Sequence, residues 1–310
     1  MKINRIDDLQ IFVLAAESGN FSEAARRIGI SPVVASAVIK RLESSLGVRL
    51  FERSTRSVRL SDAGERLLPH AREALQALSW GEKSIFDETA GDALLTGTLR
   101  LSLPGDFGRN YLIGWIEEFI AAQPGKSSVT LELRVSDRLS NLLQQPVDFA
   151  IRYGIPEDSG FIALPIAVDN RRVLCASPAY LARRGIPEKL TDLRQHNCLR
   201  FMLNDAVHSR WRFEGSNESL AFEAKGDRVA DDAGVVHQWA IEGLGVAYKS
   251  WLDIAPDLAA GRLKILLPHL RGEPAPLYLL AVSKQQITNG IRRLVATLSE
   301  RCKLLRHATG

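Results

Sequence analysis

Residues 20–46 contain the feature that most constrains this chain, two short helical patterns separated by a glycine. Asn20 precedes the first pattern and Ser31-Pro32 precedes the second, and these residue types commonly begin helices. Gly29 lies between the two patterns and tolerates the left-handed backbone of a tight turn. With an apolar helical stripe before them in residues 6–15, they predict a helix-turn-helix. A helical hairpin within a larger bundle is the alternative interpretation.

The second helix of a helix-turn-helix lies in the DNA major groove, with its first residues toward the base edges. We therefore expect Ser31, Pro32, Val33, Ser36 and Lys40 to face DNA. The serine hydroxyls can bond to phosphate or base, and Pro32 and Val33 can contact a thymine methyl group.

Positive charge is concentrated around the same segment. Residues 21–60 hold eight Lys or Arg against three Glu, a balance of +5 in a chain of 310 residues whose total is +4. Such a cluster is typical of a surface that binds a polyphosphate, although a solvated basic face would show it too.

A short β-hairpin is predicted directly after the helices, in residues 48–60. A polar basic turn separates two short apolar segments and places Arg53 and Arg56 at the hairpin tip. Arginine in such a wing can reach phosphates or a narrow minor groove.

The segments FSEAARRIGISP, IKRLESSLGVRLFERSTR and RLSDAGERLL, within residues 3 to about 70, resemble the LysR-type transcriptional regulators. The resemblance implies a winged helix-turn-helix domain, residues 1–60, whose third helix reads DNA. Many members of that family carry Arg or Lys where this chain has Ala37, so the resemblance also implies a changed operator preference.

A long linker helix is predicted over residues 61–88, with an apolar stripe repeating every three or four residues and Pro69 in its first turns or at a bend. Such a stripe needs a partner, either the same helix of a second subunit or the chain's own second domain. The resemblance implies a homodimer through this helix and commonly a homotetramer. Residues 89–97 then read as a hinge.

Strands and helices alternate over residues 98–302, which predicts an α/β domain with a mainly parallel sheet. The segments SDRLSNLL, VDFAIRYG and AIEGLGVAY resemble the LysR-type effector-binding domain. This resemblance implies a periplasmic-binding-protein-like domain, with lobe one at about 98–166 and 268–302 and lobe two at about 167–267. The fold class is therefore a multidomain α+β protein: winged helix-turn-helix, linker helix and two-lobed effector domain.

The cleft between the lobes is the expected effector site, because ligands of open α/β sheets bind beyond the carboxyl ends of strands. Its candidate residues are Pro104, Asp106, Phe107, Arg152, Phe201, Asp231 and Lys249. Many relatives carry Ser or Thr where this chain has Asp106, so we expect Asp106 to select a ligand with donors or positive charge. The alternatives are a helix cap for Asp106 and Asp231, core packing for Phe201, and ordinary ion pairing for Arg152 and for Arg200.

Enzyme chemistry has no support in the sequence, since no two histidines have metal-ligand spacing and no P-loop, GxSxG or strand-associated GxGxxG occurs. No cofactor is expected. Three cysteines, Cys175, Cys198 and Cys302, leave a redox-responsive or effector-independent regulator as the alternative function.

The sequence thus predicts a transcriptional regulator that binds double-stranded DNA, a small-molecule effector and a second copy of itself. RNA polymerase is a further candidate partner. No apolar run approaches the length of a membrane span, and a cytoplasmic, nucleoid-associated location is expected. Two further interpretations stay open, a small-molecule-binding protein without DNA function and a nonspecific architectural DNA binder.

Overall fold

The computed structural model describes residues 3, 5–53, 58–89, 95, 97–123, 129–137, 147–154, 160–203, 206–214 and 219–307. The chain forms two compact units, Met1–Phe86 and Asp87–Gly310. Each unit has a hydrophobic core of its own.

The first unit begins with three helices, α1 (Ile6–Ser18), α2 (Phe21–Arg27) and α3 (Pro32–Leu46). The helix starts predicted from the sequence are confirmed. The Asn20 side chain accepts from the amides of Ser22 and Glu23, and Ser31 Oγ accepts from the amide of Val34 at 3.3 Å. Gly29 has φ +72°, the left-handed conformation that the turn requires.

The core of this unit forms where the apolar faces of the three helices meet, around the fully buried Phe12. The predicted wing is present as two antiparallel strands, β1 (Phe51–Arg53) and β2 (Val58–Leu60). Phe51 fixes the wing to the core, because its ring packs edge-on against Phe12 and Phe21. The amides of Leu50 and Phe51 donate to Glu43 on α3.

Helix α4 (Asp62–Thr89) follows the wing and passes through Pro69 in its second turn. The first half of its apolar stripe packs against the core of its own unit, through Leu67, Leu68, Ala71 and Leu75. Farther along, Leu78 is exposed. Gly64 lies so close to the wing that a Cβ there would fall 2.2 Å from the Leu50 carbonyl oxygen.

The second unit contains two main sheets with helices around them. Its strands are β3 (Gly97–Leu103), β4 (Val129–Val135), β5 (Phe149–Tyr153), β6 (Ile162–Ala167), β7 (Arg172–Ala176), β8 (Cys198–Leu203), β9 (Ala206–Val207), β10 (Arg210–Glu214), β11 (Ser219–Glu223), β12 (Val229–Ala230), β13 (Val246–Ser250), β14 (Lys264–Leu266), β15 (Arg271–Gly272) and β16 (Leu277–Ala281). Its helices are α5 (Gly105–Phe107), α6 (Ile113–Ala121), α7 (Pro178–Arg184), α8 (Ala233–Ile241), α9 (Trp251–Ala259) and α10 (Asn289–His307).

The two sheets define two lobes. Lobe one has the strand order β4-β3-β5-β16-β6, and lobe two has the order β12-β8-β13-β7-β14 with β9 beside β8. A third, small sheet, β11-β10-β15, extends lobe two. The chain passes from lobe one to lobe two after β6 and returns before β16.

The predicted mainly parallel strand direction is confirmed, but one strand in the main path of each sheet is reversed. Strands β3, β4 and β5 run parallel, as do β12, β8 and β13, but β16 is antiparallel to both its neighbours and so is β7. In each sheet the first strand after a crossover, β7 in lobe two and β16 in lobe one, runs against the others, which makes both sheets mixed.

Three other differences concern local elements. The predicted loop Pro104–Gly108 is instead the start of a helical segment that runs from Gly105 through a π turn (Gly108–Leu112) into α6. Helix α9 and the β10-β11 hairpin were not predicted. Most of the short helix predicted at 137–143 and most of the hinge predicted at 89–97 lie outside the described residues.

Candidate functional site

The N-terminal end of α3 presents an exposed face with an apolar centre. Ser31, Pro32, Val33 and Lys40 are exposed and Ser36 is half-buried, while Ala35, Val38, Ile39 and Leu42 on the opposite side are buried. Val33 is 78% exposed, and Val34 beside it is 48% exposed. The valine side chain is apolar and forms no hydrogen bonds with water. Two exposed valines at a capped helix start therefore suit burial against another surface.

The basic residues near this face divide into paired and unpaired groups. Arg41 forms an ion pair with Asp8. Both carboxylate oxygens of Asp8 accept hydrogen bonds from the Arg41 guanidinium, and the pair joins α3 to α1. Arg26 and Arg27 both pair with Glu23. Lys40, Arg49 and Arg59 are exposed and have no ion pair within the described ranges, and the sequence had not singled out the two arginines. Arg53 ends β1, its side chain is not described, and Arg56 lies outside the described residues.

A cavity lies between the two lobes of the second unit. Six of the seven residues predicted for the effector site line it: Pro104, Asp106, Phe107, Arg152, Phe201 and Lys249. Asp231 does not, because it is exposed outside the cavity, and its neighbour Asp232 caps α8 by accepting from the Gly234 amide at 2.7 Å. The remaining lining residues are Asp137, Tyr153, Arg172, Leu203, Ala233 and Asp253.

Lys249 is the centre of a buried ion cluster at the floor of this cavity. Its Nζ lies 2.6 Å from Asp106 Oδ2 and 2.9 Å from Asp253 Oδ2, and it donates to the Ala233 carbonyl oxygen at 2.9 Å. An ammonium has three donors, and all three are used. Lys249 is 1% exposed, so this pairing is what allows its charge to be buried.

His237 extends the cluster on its other side. Its Nδ1 lies 3.0 Å from Asp106 Oδ2, and its Nε2 lies 3.1 Å from Asp257 Oδ2. The Asn110 side chain donates to the second oxygen of Asp106 at 2.8 Å. The carboxylate of Asp106 is therefore surrounded by donors from its own chain.

Burial and charge act in opposite directions on these groups. Burial alone would raise the pKa of Asp106, but Lys249 and His237 outweigh it and lower that pKa to about 2. Burial would lower the pKa of Lys249, but Asp106 and Asp253 raise it well above its ordinary value. Burial raises the pKa of Asp253, against the opposing effect of Lys249. The Asp106–Lys249 pair is therefore ionised at neutral pH.

These observations correct the interpretation of Asp106. Its charge is already compensated by Lys249, and its oxygens bond to side chains rather than to the amides that a helix cap would accept from. Asp106 and Lys249, named separately as ligand groups, are partners of each other.

The same contacts hold the two lobes together, because their members come from both. Asp106 belongs to lobe one, and Lys249 and His237 belong to lobe two. Tyr153 on β5 donates its hydroxyl to Asp253 at 2.6 Å. Asp137 after β4 accepts from the amides of Gly105 at 2.7 Å and Ala233 at 3.0 Å, which joins the starts of two helices.

Two arginines line the cavity near the cluster. Arg152 at the end of β5 is 3% exposed and donates to Ser102 Oγ at 2.6 Å and to the Ile151 carbonyl oxygen at 2.8 Å. Arg172 at the start of β7 is 8% exposed, lies over the Phe201 ring and pairs with Glu273 at 3.0 Å.

Comparison with known proteins finds two domain families in the chain. Residues 6–65 match the bacterial regulatory helix-turn-helix family of lysR proteins, and residues 92–303 match the LysR substrate binding domain. The transcriptional regulator DmlR of Escherichia coli K12 is 32% identical over 298 residues, which is 95% of this chain and 94% of DmlR. The chain belongs to the LysR-type transcriptional regulators.

Solved structures agree with this membership. The full-length structure of the Vibrio cholerae virulence activator AphB has a TM-score of 0.56 and 25% sequence identity to this chain. The match covers 96% of this chain and 99% of AphB. CrgA, a LysR-type regulator from Neisseria meningitidis, has the same TM-score and the same sequence identity. Its match covers 99% of this chain and 100% of the CrgA chain. This LysR-type regulator therefore has a DNA-binding helix-turn-helix domain and an effector-binding domain, and its family is a class of regulators rather than of enzymes.

The three cysteines of this LysR-type regulator are all buried. Burial raises the pKa of the Cys175 and Cys302 thiols to about 12 and that of Cys198 to about 11. Since the thiolate is the reactive form, these values disfavour redox sensing. No group of metal-ligating residues occurs within the described ranges, and no described helix is long and apolar enough to cross a membrane.

Sequence reasoning about the LysR-type effector domain missed several members of the buried cluster. Asp253 lies four residues after Lys249, a spacing typical of ion pairs, and this signal was available. Tyr153 directly follows Arg152 but points to Asp253 across the lobes. His237, Asp137 and Arg172 come from distant segments and carry no local signal. Arg200, another proposed anion group, donates to the Gly226 carbonyl oxygen.

Proposed function

We propose that this LysR-type regulator reads promoter DNA through the exposed N-terminal face of α3, defined as Ser31, Pro32, Val33, Ser36 and Lys40. The observation that carries the proposal is the exposure of Val33 on a helix whose first turn is fixed by the Ser31 cap. A fixed helix start suits placement against base edges. Arg53 and Arg56 on the wing contact the DNA backbone, and Arg49 and Arg59 add unpaired charge nearby.

The protein works as a homodimer through α4, and dimers pair into a tetramer. Support comes from the exposed Leu78 beyond the part of the α4 stripe that packs on its own unit. A small-molecule effector binds in the cavity between the lobes and changes the arrangement of the subunits on DNA, which requires unequal affinity for two states. RNA polymerase is the partner for transcription control, and the protein acts in the cytoplasm at the nucleoid.

DNase footprinting of the full chain on genomic fragments tests this function. We expect protection of a partly palindromic site with half-sites about one helical turn apart, and an affinity that falls steeply with salt. Binding that is equal on all fragments would contradict the proposal and favour a nonspecific architectural DNA binder. Light scattering of the same sample gives the subunit number, and a monomer would contradict the role of α4.

A further inference from the structure

Arg152 is a buried cation whose hydrogen-bond acceptors within the described residues are all neutral. Its two terminal nitrogens donate to the Ser102 hydroxyl and the Ile151 carbonyl oxygen, and its Nε has no acceptor. No carboxylate within the described ranges pairs with it. A buried charge without a counter-ion is unfavourable, since its hydration is lost and is not replaced by an ion pair.

The charge on Arg152 survives its burial. Desolvation lowers the pKa of this guanidinium to about 10, against the opposing effect of Asp137, and it stays protonated at neutral pH. Asp137 is itself engaged, since its two oxygens accept from the amides of Gly105 and Ala233. Arg152 lines the cavity, and only two of the five N–H groups of its guanidinium have an acceptor among the described residues.

The acidic groups of the cavity do not compete for this cation. Asp106 and Asp253 both contact Lys249, at 2.6 Å and 2.9 Å. Arg172 contributes a second guanidinium from the opposite lobe, held by Glu273. The charge left without a partner in the described part of the cavity is therefore the positive charge of Arg152.

Aromatic and aliphatic side chains form another part of the cavity lining. Phe107 is fully buried and Phe201 is 6% exposed, and both line the cavity together with Leu203. A cavity with one unpaired guanidinium and aromatic walls fits a ligand with one carboxylate and an apolar body.

We propose that the effector is a small organic carboxylate, whose carboxylate group is bound by Arg152 and whose body lies against Phe107 and Phe201. This inference rests on the proposed function only in taking the inter-lobe cavity as the effector site. The proposed ligand is an anion, whereas Asp106 alone predicts a cation, because Lys249 already compensates the charge of Asp106. Arg152 completes its donor set only when the ligand is bound, and the ligand thereby supplies the missing counter-ion.

The test compares matched acids, amides and amines on the full-length protein by calorimetric titration and thermal shift. The probes are benzoate, benzamide and benzylamine, and succinate, succinamide and 1,4-diaminobutane. We expect at least one acid to bind at least about tenfold more tightly than its amide, the effect of one charge-assisted contact. Failure of both acids to bind, or an amide or amine that binds as tightly as its acid, would overturn the proposal.

Two variants assign the effect to Arg152. Arg152→Met should abolish the preference for the acid and leave the unliganded Tm equal to or above that of the wild type, because it removes an uncompensated buried charge. Arg134→Gln, at an exposed arginine of the same lobe, should change neither. A lower Tm in Arg152→Met with acid binding retained would show a structural role and overturn the assignment.

Gel shifts on the same samples separate this inference from the proposed function. A protein that binds its operator but does not distinguish acid from amide refutes the carboxylate effector alone. A protein that binds the acid but whose footprint is the same with and without it refutes effector control, and the ligand class stands.

Discussion

The ammonium of Lys249 in lobe two lies 2.6 Å from the carboxylate of Asp106 in lobe one, with both side chains almost fully buried. The two residues are 143 positions apart in the chain. Their contact joins the lobes at the floor of the cavity between them, so the geometry of the cavity depends on this pair.

Removing one partner of this pair should destabilise the effector domain strongly. Lys249→Met leaves Asp106 and Asp253 buried without their shared cation, and we expect a loss of about 3 kcal/mol in the free energy of unfolding. Lys264→Met, at an exposed lysine of the same lobe, should change it by less than about 0.5 kcal/mol. Urea unfolding measures the free energy of unfolding of both variants. An equally small change in the two variants would contradict a structural ion cluster.

The contribution of Asp106 should disappear in acid. Its pKa of about 2 in the folded protein lies below the ordinary value of 3.8, so its stabilisation is complete above pH 3.8 and is lost as the pH falls toward 2. We expect the stability difference between the wild type and Asp106→Asn to be constant from about pH 7 to pH 5 and to shrink by about pH 3. A difference that shrinks near pH 6, or not at all by pH 3, would contradict this pairing.

Gly64 should tolerate no side chain, because it lies directly against the backbone of the wing. A Cβ at Gly64 would lie 2.2 Å from the Leu50 carbonyl oxygen, and we expect Gly64→Ala to lower the Tm of the DNA-binding unit by several degrees. Gly114 on α6 has open space around its Cβ position, so Gly114→Ala should raise stability by about 0.5–1 kcal/mol. Calorimetry of both variants checks this, and a neutral Gly64→Ala would contradict the close approach of helix and wing.

The elements of the DNA-binding unit could be predicted because their signals are local. Asn20, Gly29 and Ser31 each act within three residues of themselves, and the structure confirms the caps and the turn that they predict. Helix α9 was missed since Pro256 interrupts its pattern, and the β10-β11 hairpin was missed although the turn residues Gly215, Ser216 and Asn217 separate its strands in the sequence.

The chemistry of the effector cavity could be predicted only in part. The sequence placed Asp106, Arg152 and Lys249 in one cleft, but their charges were interpreted separately. Which of them pair depends on how α5 and β5 of lobe one face β13 of lobe two, and that arrangement has no signature in the sequence around each residue. The pairing of Asp106 with Lys249 changes the expected ligand from a cation to an anion.

The cysteines should be unreactive in the folded protein. All three are buried and their thiol pKa values are raised to about 11 or 12, so little thiolate exists at pH 8. Titration with a chromogenic disulfide should detect no fast thiol before unfolding and all three after unfolding in urea. One rapidly labelled thiol in the native protein would support the redox-responsive alternative.

The face of α3 that carries Val33 and Ser36 should determine sequence preference rather than stability. We expect Val33→Ala and Ser36→Ala to leave Tm unchanged, because Val33 is exposed and Ser36 is half-buried. Each lost base contact should reduce operator preference by about tenfold. Ile6→Ala, at an exposed apolar residue of α1, is the matched control and should bind as the wild type does.

The most direct test of DNA reading by α3 is the ratio of operator to nonspecific DNA affinity, measured by competition gel shift for these three variants and the wild type at fixed salt. We predict that this ratio falls about tenfold in Val33→Ala and in Ser36→Ala and stays at the wild-type value in Ile6→Ala. A ratio unchanged in both α3 variants, with DNA binding intact, would contradict the assignment of this face to the operator.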